Sequence, residues 1–412
     1  MLQTVQRDRT NRGGFDFDAP FLVYKQVNFI PDSALRLNVG SVQTKEILEI
    51  MSRRIYNFSA GPAILPEPVL EEASQAVREI NGSGMSLLEV SHRGKDYDAI
   101  HADAEASLLR VLGLSADEYV PMFLQGGASL QFAMLPMNFL ATGQHADYVV
   151  SGDWGAKALK EAKNFGVVRE IASSKADKYT YIPKNFSITP GARYVHITTN
   201  NTIEGTEYFQ LPDTGDTPLV ADSSSDFLAL PHDYRKFSLL YAGAQKNAGP
   251  SGVTMVVAKK SFLESAKADL TGILAYKTHA DTNSLYNTPP TFAIYVVGRV
   301  IKWVEGQGGL TGIEQKNRQK AQILYSALDE LTPFYQPAVT AKEDRSLMNV
   351  TWRVADEALE AEFLKEAKAA GLDGLKGHRS VGGFRASIYN AFPAQGVQIL
   401  ADLLRDFAQR KG

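Results

Sequence analysis

Three short stretches of the chain hold residue types that organic catalysis uses together. Phe123-Leu124-Gln125-Gly126-Gly127-Ala128-Ser129-Leu130 reads as a strand entering a Gly-Gly turn, with a small hydroxyl residue where a helix can begin. Exposed N–H groups at such a start, with Ser129 as a further donor, cradle a phosphate. Leu219-Val220-Ala221-Asp222 is an apolar run closed by an acid, and an acid at a buried strand end points into the crevice where α/β folds bind ligands. Lys246 stands among the small residues of Tyr241-Ala242-Gly243-Ala244-Gln245-Lys246-Asn247-Ala248-Gly249-Pro250, which leave room for a planar ligand. Each stretch alone also has a plainer reading: a turn with a Ser cap, an acid that caps the next segment, a solvated loop lysine.

Taken in chain order, Ser129, Asp222 and Lys246 match what pyridoxal 5'-phosphate requires: donors for its phosphate, a carboxylate that keeps its pyridine nitrogen protonated, and a lysine for the Schiff base. A carboxylate beside the ring nitrogen raises the pKa of that nitrogen by roughly 1–3 units, and the protonated ring is the better electron sink when Cα–H breaks. Lys246 must be neutral to attack a carbonyl, a state that desolvation beside a cationic ring promotes. Trp154, in Ser151-Gly152-Asp153-Trp154-Gly155, offers a face for stacking on such a ring. Two His-Arg pairs, in Ser91-His92-Arg93-Gly94 and Gly377-His378-Arg379-Ser380, and the later Arg385 offer forked donors for phosphate and carboxylate. With 43 Lys plus Arg against 46 Asp plus Glu, a substrate carrying several negative charges would need such a local cluster.

Other chemistries lose their support. There is no G-x-x-x-x-G-K-[ST], and Gly306, Gly308 and Gly312 miss the G-x-G-x-x-G spacing by one residue. Cysteine is absent, which excludes disulfides, thiolate metal sites and Cys-based covalent catalysis, and fits a reducing compartment. The seven histidines are scattered with no H-E-x-x-H, so no metal site is expected. A net charge of −3 supplies no field for nucleic acid or an anionic membrane. No run approaches the ~18 apolar residues of a membrane span, and the N-terminus lacks the marks of a secretory signal. A cytoplasmic, soluble protein is expected.

The elements that must position these residues follow from the patterning. Short apolar runs at Tyr119–Leu124, Tyr148–Val150, Arg193–Thr198, Pro218–Ala221, Leu239–Ala242 and Val253–Val257 alternate with helical patterns. Such alternation predicts an α/β domain with a mostly parallel sheet covered by helices. A helical pattern at Val69, Leu70, Ala73, Val77 and Ile80 follows Pro66. Gly306-Gln307-Gly308-Gly309 marks a hinge or loop, after which a helix around Ile313–Leu331, a strand at Leu347–Val354 and a helix from Asp356 to Gly371 predict a smaller α+β domain. Residues 1–50 carry no lasting period and only short apolar patches at Phe21–Val23 and Val27–Ile30, so they are expected to be an extension or a start assigned too far upstream. The globular part is expected to begin near Met51.

Several of these runs, together with Asn57-Phe58-Ser59-Ala60-Gly61-Pro62, Asn287-Thr288-Pro289-Pro290-Thr291-Phe292 and the stretch from Gly377 to Asn390, resemble the phosphoserine aminotransferase family over residues 51–412. The resemblance implies a fold-type I pyridoxal-phosphate-dependent homodimer with shared active sites, which converts 3-phosphohydroxypyruvate and L-glutamate into O-phospho-L-serine and 2-oxoglutarate. In many bacteria the family also serves pyridoxine synthesis. It further implies a large cofactor-binding domain over 66–305 and a small domain from 51–65 and 306–412. Lys246 would be the Schiff-base lysine, Asp222 the partner of the ring nitrogen and Trp154 the stacking residue. Ala128, Ser129, Thr202 and Gln245 would hold the cofactor, and Asn287 and Thr288 would reach the cofactor phosphate of the partner subunit. Arg385 would take the substrate carboxylate, while His92, Arg93, His378 and Arg379 would surround its phosphate. The chain departs from the family at Asn201, where Glu is common. Two other readings stay open: a serine– or alanine–glyoxylate aminotransferase, which would not need two His-Arg pairs, and a catalytically silent phosphate-binding protein.

Overall fold

The structure, a computed structural model, describes residues 54–412. Expectations placed on residues 1–50 lie outside the described residues. The chain enters through the short strand β1 (Tyr56–Asn57) and two helices, α1 (Glu67–Arg78) and α2 (Lys95–Leu112), before the strands begin. In α1, Val69, Ala73 and Ala76 are buried, so the buried stripe shares Val69 and Ala73 with the pattern after Pro66 but turns through Ala76, leaving Val77 exposed and Leu70 half-buried. Gly113 ends α2 in the left-handed region at φ 66°, where its N–H returns to Leu109 and Arg110 carbonyls.

From there strands and helices alternate: β2 (Tyr119–Leu124), α3 (Gly127–Phe139), β3 (His145–Val150), α4 (Asp153–Ala162) and β4 (Val167–Ser173). They continue through β5 (Val195–Thr198), β6 (Leu219–Asp222), β7 (Phe237–Gly243) and β8 (Thr254–Lys259), then α5 (Lys260–Leu263), α6 (Tyr276–Asp281) and α7 (Thr291–Gly306). Strands β2 to β8 form one seven-stranded sheet in the order β2-β8-β7-β6-β5-β3-β4. The run from β7 to β4 is parallel, while β8 pairs antiparallel with both β7 and β2. The fold is therefore α/β with a mostly parallel sheet. Residues of β5, β6 and β7 are buried throughout, and alternate ones face opposite cores. Leu219, Ala221, Leu240 and Ala242 pack with Ile294, Val297 and Ile301 of α7. Val220, Leu239 and Tyr241 pack with Phe132 and Leu135 of α3 and Leu159 of α4. Edge strand β4, which the apolar pattern does not announce, is half exposed along its length.

A second core lies around the later elements. α8 (Gly309–Glu330) follows α7 after Gln307 and Gly308, so the Gly-rich stretch read as a loop is a tight turn, with Gly308 at φ 92°. Then come β9 (Tyr335–Pro337), β10 (Asn349–Val354), α9 (Glu360–Ala369), β11 (Leu372–Asp373), β12 (Phe384–Ser387) and α10 (Ala394–Lys411). Asp356 starts the expected helix through a short turn, its carboxylate accepting from Ala358 N–H. β12, β10 and β9 make an antiparallel sheet, and β1 pairs with β11. Val350, Trp352 and Phe384 of this sheet pack with Leu324 and Leu328 of α8 and Leu400 and Leu404 of α10. Among the described residues no helix is long and apolar enough to cross a membrane.

Between β5 and β6 the chain makes a hairpin over Asn200–Glu207. Asn201 N–H donates to Thr206 O at 2.8 Å, Gly205 N–H donates to Asn201 O at 2.8 Å, and Asn200 bridges Glu207. Gly205 turns this hairpin at φ 92°, and a Cβ there would lie 2.7 Å from both Asn349 O and Thr351 Oγ1. Gly205→Ala is therefore expected to cost about 1–3 kcal/mol through backbone strain and crowding. Gly113→Ala, with a similar φ of 66° but open space around it, should lower the calorimetric melting temperature less. Equal melting temperatures for the two variants would contradict the crowding at Gly205.

Candidate active site

The parallel strands share one consequence of their direction: their carboxyl ends lie along one edge of the sheet. Register places Thr198, Asp222 and Tyr241 side by side there on β5, β6 and β7. Just beyond that edge, β7 runs on to Gln245 and Lys246, β5 to Thr202, and β3 to Trp154 at the start of α4. β2, which points the same way, leads to Gly126 and α3. Residues far apart in sequence meet because each is the first chain beyond a buried strand.

Lys246 is half-buried, and its Nζ donates to Thr202 Oγ1 at 2.7 Å. The same atom lies 5.9 Å from the centroid of the Trp154 ring. Burial pulls the Lys246 pKa down to about 8; the Asp222 charge opposes that fall and the Arg385 cation adds to it. Asp222 is buried, which pushes its carboxyl up, while Lys246 and two Ser224 donors hold it down. Those donors are Ser224 N–H at 2.9 Å and Ser224 Oγ at 2.6 Å, both on Oδ1. Ser224 Oγ accepts in turn from Gly243 N–H at 3.1 Å, so β6 and β7 fix the carboxylate together.

Arg385, on β12, donates from Nη1 to Thr202 O at 3.1 Å. Thr202 thus meets Lys246 through its hydroxyl and Arg385 through its carbonyl. The Arg385 Nε is buried without a partner among the described residues, as is Trp154 Nε1. Lys157 covers the Trp154 ring, with Nζ 3.9 Å from its centroid. Buried donors left open in this way are sites where a ligand's acceptors fit.

Beyond β2, Gly126 at φ 90° turns the chain into α3, whose start has no side-chain cap. The first N–H groups of that helix, at Gly127, Ala128 and Ser129, are the kind that hold an anion. Gln245 is half-buried, with its side chain folded over Gly243. His378 Nδ1 hydrogen-bonds Ser380 Oγ at 2.7 Å, and Ser380 Oγ donates to Asp153 Oδ2 at 3.1 Å. That tie sets the His378-Arg379 loop against the start of α4. Burial and the Arg385 charge lower the His378 pKa.

Two groups of expected site residues are not joined to this cluster within one chain. His92 and Arg93 share a 3.5 Å hydrogen bond with each other, and none links them to Lys246, Asp222 or Arg385 among the described residues. Asn287 Nδ2 donates to Gln125 Oε1 at 3.3 Å, and Thr288 is exposed beside it. Conversely, sequence reasoning missed Ser224 and Glu204. Asp222-Ser223-Ser224 carries an Asx-turn spacing that could have found the first. Glu204 gave no local signal, since its partner, Asp153 N–H at 2.8 Å, comes from a distant segment. Asn201 donates from Nδ2 to Ser151 Oγ at 3.0 Å and Thr206 Oγ1 at 2.9 Å, which makes it an internal brace of the hairpin.

The charges around Lys246 set a titration that can be read directly. Its neutral form should appear as pH rises through about 8, so acylation of the cofactor-free chain by acetic anhydride, followed by peptide mass analysis, should reach half its limiting rate there. Asp222→Asn removes a charge that favours the ammonium and should move the midpoint down. Arg385→Ala removes a repelling cation and should move it up. A midpoint at an ordinary lysine value, unmoved by either change, would contradict the described electrostatics.

Comparison with known proteins fits this geometry. The model of the family described as aminotransferase class-V matches residues 55–400. The phosphoserine aminotransferase of Lysinibacillus sphaericus is 54% identical over 362 residues, covering 87% of this chain and 99% of that protein. A solved phosphoserine aminotransferase from Bacillus circulans subsp. alkalophilus is 49% identical, with a TM-score of 0.85 over 87% of this chain and 99% of that one. A phosphoserine aminotransferase from Trichomonas vaginalis, solved with pyridoxal phosphate bound, is 36% identical, with a TM-score of 0.80 over 85% of this chain and 100% of that one. The chain belongs to the class-V aminotransferases and, within them, to the phosphoserine aminotransferase family.

Proposed function

We propose that the chain moves the amino group of L-glutamate to 3-phosphohydroxypyruvate, giving 2-oxoglutarate and O-phospho-L-serine, with pyridoxal 5'-phosphate as cofactor. The observation that carries this reading is Lys246: a half-buried amine with a pKa near 8, set between Asp222 and Arg385. Family membership at 54% identity supports the same activity. The residues present fit the cofactor, since the site's strands supply an acid at a strand end and an uncapped helix start, and Trp154, with its Nε1 unpartnered among the described residues, lies 5.9 Å from the amine.

When bound, pyridoxal phosphate supplies an electron-poor ring that accepts the electron pair left as Cα–H breaks. Asp222, held by Ser224, would keep a proton on the ring nitrogen. Trp154 would stack on the ring, and Ala128, Ser129, Thr202 and Gln245 would hold its substituents. Lys246 takes a proton from the substrate Cα at Nζ, and Thr202 Oγ1 aims that nitrogen. Arg385 binds the carboxylate next to Cα, while His378 and Arg379, with His92 and Arg93, bind the substrate phosphate.

A homodimer belongs to this reading. Asn287, Thr288, His92 and Arg93 lack a link to Lys246 in one chain, and a second copy would bring them to a shared site. We assign residues 66–305 to the cofactor domain and 51–65 with 306–412 to the smaller one, a division that the apolar cores follow in the main, with Leu310 and Ile313 packing into the first core and Ala229 and Leu230 into the second. A cytoplasmic place fits the absence of cysteine.

The test is the purified protein with both substrates. It should be yellow, lose that colour on adding glutamate, and form phosphoserine when phosphohydroxypyruvate follows. Arg379→Ala should lower kcat/KM for phosphohydroxypyruvate by about ten- to a hundredfold while sparing the glutamate half-reaction. Arg385→Ala should damage both. Equal losses for both substrates at Arg379 would overturn the phosphate assignment, and a colourless, inactive protein would favour the silent phosphate-binding reading. A chain beginning at Met51 should keep full activity and dimerise, because every proposed site residue follows it; loss of activity on that truncation, by the same assay, would assign a function to residues 1–50.

A further inference from the structure

Glu204 is a carboxyl that the chemistry above does not use, yet it is 5% exposed and lies two residues beyond Thr202. Its Oε1 accepts from Asp153 N–H at 2.8 Å, an N–H in the first turn of α4 that the helix itself cannot satisfy. Its backbone carbonyl accepts from Thr351 Oγ1 at 2.6 Å, and Thr351 stands opposite Arg385 in the β10–β12 register. One residue therefore touches the segment bearing Trp154, the hairpin bearing Thr202 and the strand beside Arg385.

The other carboxyl oxygen poses a chemical problem. Glu204 Oε2 is buried without a partner, and so is Asn201 Oδ1. Both oxygens crowd Gly152: a Cβ there would lie 2.6 Å from Glu204 Oε2 and would also strike Asn201 Oδ1. Asn201 cannot solve this by turning its amide, because its Nδ2 already donates to Ser151 and Thr206. Two buried acceptors against the same glycine are satisfied together if one hydrogen lies between them.

We infer that Glu204 is a positioning residue for the cofactor site: as the neutral acid it donates from Oε2 to Asn201 Oδ1 while Oε1 holds Asp153 N–H, latching the start of α4, and with it Trp154, to the Thr202 hairpin. The charged and titratable groups facing it are Asp153 and Lys157 from α4, Tyr179 from the loop after β4, and Arg385 from β12. Burial first, then the Asp153 charge, raise its pKa to about 7, against the pull of Lys157 and the Asp153 N–H. The raised value means that the fold favours the protonated acid, so both bonds are made below pH 7; as pH rises through it Oε2 loses its hydrogen, and the carboxylate and Asn201 Oδ1 repel each other across Gly152, which drives the side chain out of the latch although the Asp153 N–H itself favours the charged form. The glycine at 152 is what lets the two oxygens approach.

The purpose of the latch rests on the proposed cofactor reading, but the latch itself is measured on the cofactor-free protein. Hydrogen–deuterium exchange at the Asp153 amide, corrected for the intrinsic rise with pH, should speed up about tenfold between pH 6 and pH 8.5 as the displaced carboxylate releases that N–H. Glu204→Gln supplies an acceptor and a permanent donor in the same shape, so it should stay protected across that range. Identical profiles for wild type and Glu204→Gln would overturn the latch. Pyridoxal phosphate binding, followed by the quenching of protein fluorescence, then tests positioning: Glu204→Ala should bind about tenfold more weakly, and Glu204→Gln should restore the affinity. Should the Ala variant fail to fold, a pH-dependent weakening in wild type that is absent in Glu204→Gln reads the same thing. A working latch with unchanged cofactor affinity in both variants would overturn the positioning role and leave the proposed activity untouched.

Discussion

Lys246 is an amine held partly out of water, which draws its pKa down to about 8, and the strand ends around it set how far. A surface loop could not achieve it. The sheet delivers the lysine to an edge where β5, β6 and β7 all end, and where Asp222 compensates part of the desolvation without cancelling it. Too close a carboxylate would keep the ammonium charged; none at all would leave the buried cation without compensation. Asp222 is held at a compromise by Ser224, whose hydroxyl also ties down the end of β7.

Much of this arrangement was legible in the sequence because its causes are local. The apolar run into Asp222 is strand β6 with its acid at the carboxyl end, and the Gly-Gly turn before Ser129 is the start of α3. Strand boundaries moved by up to three residues, as at β3, which begins at His145 and not at Tyr148. What stayed hidden depends on distant partners. Edge strand β4 buries too little for its pattern to show, and Glu204 is indistinguishable in sequence from a surface acid until α4 is folded against it. The resemblance supplied roles for His92, Arg93, Asn287 and Thr288 that no reading of one chain's geometry could have supplied.

The site also lies between two cores of different construction. Lys246, Asp222 and Trp154 belong to the seven-stranded sheet and its helices, whereas Arg385 hangs from the antiparallel sheet of β9, β10 and β12. The hairpin over Asn200–Glu207 joins them, since Thr206 bridges Arg345 and Glu204 O receives Thr351. Backbone geometry at Gly205 and side-chain bracing by Asn201 keep that joint compact.

Thr202 gives this joint a metric property. Its hydroxyl fixes the Lys246 nitrogen and its carbonyl fixes the Arg385 guanidinium, so one residue sets the spacing between the group proposed to move a proton and the group proposed to hold a carboxylate. Under that reading the site is a ruler. It accepts molecules whose amino and carboxylate groups share a carbon, and a β- or γ-amino acid anchored by its carboxylate would carry its reacting C–H bond past the lysine. Discrimination among backbones of amino acids then comes from one short span of chain, while discrimination among side chains is left to the basic residues farther out.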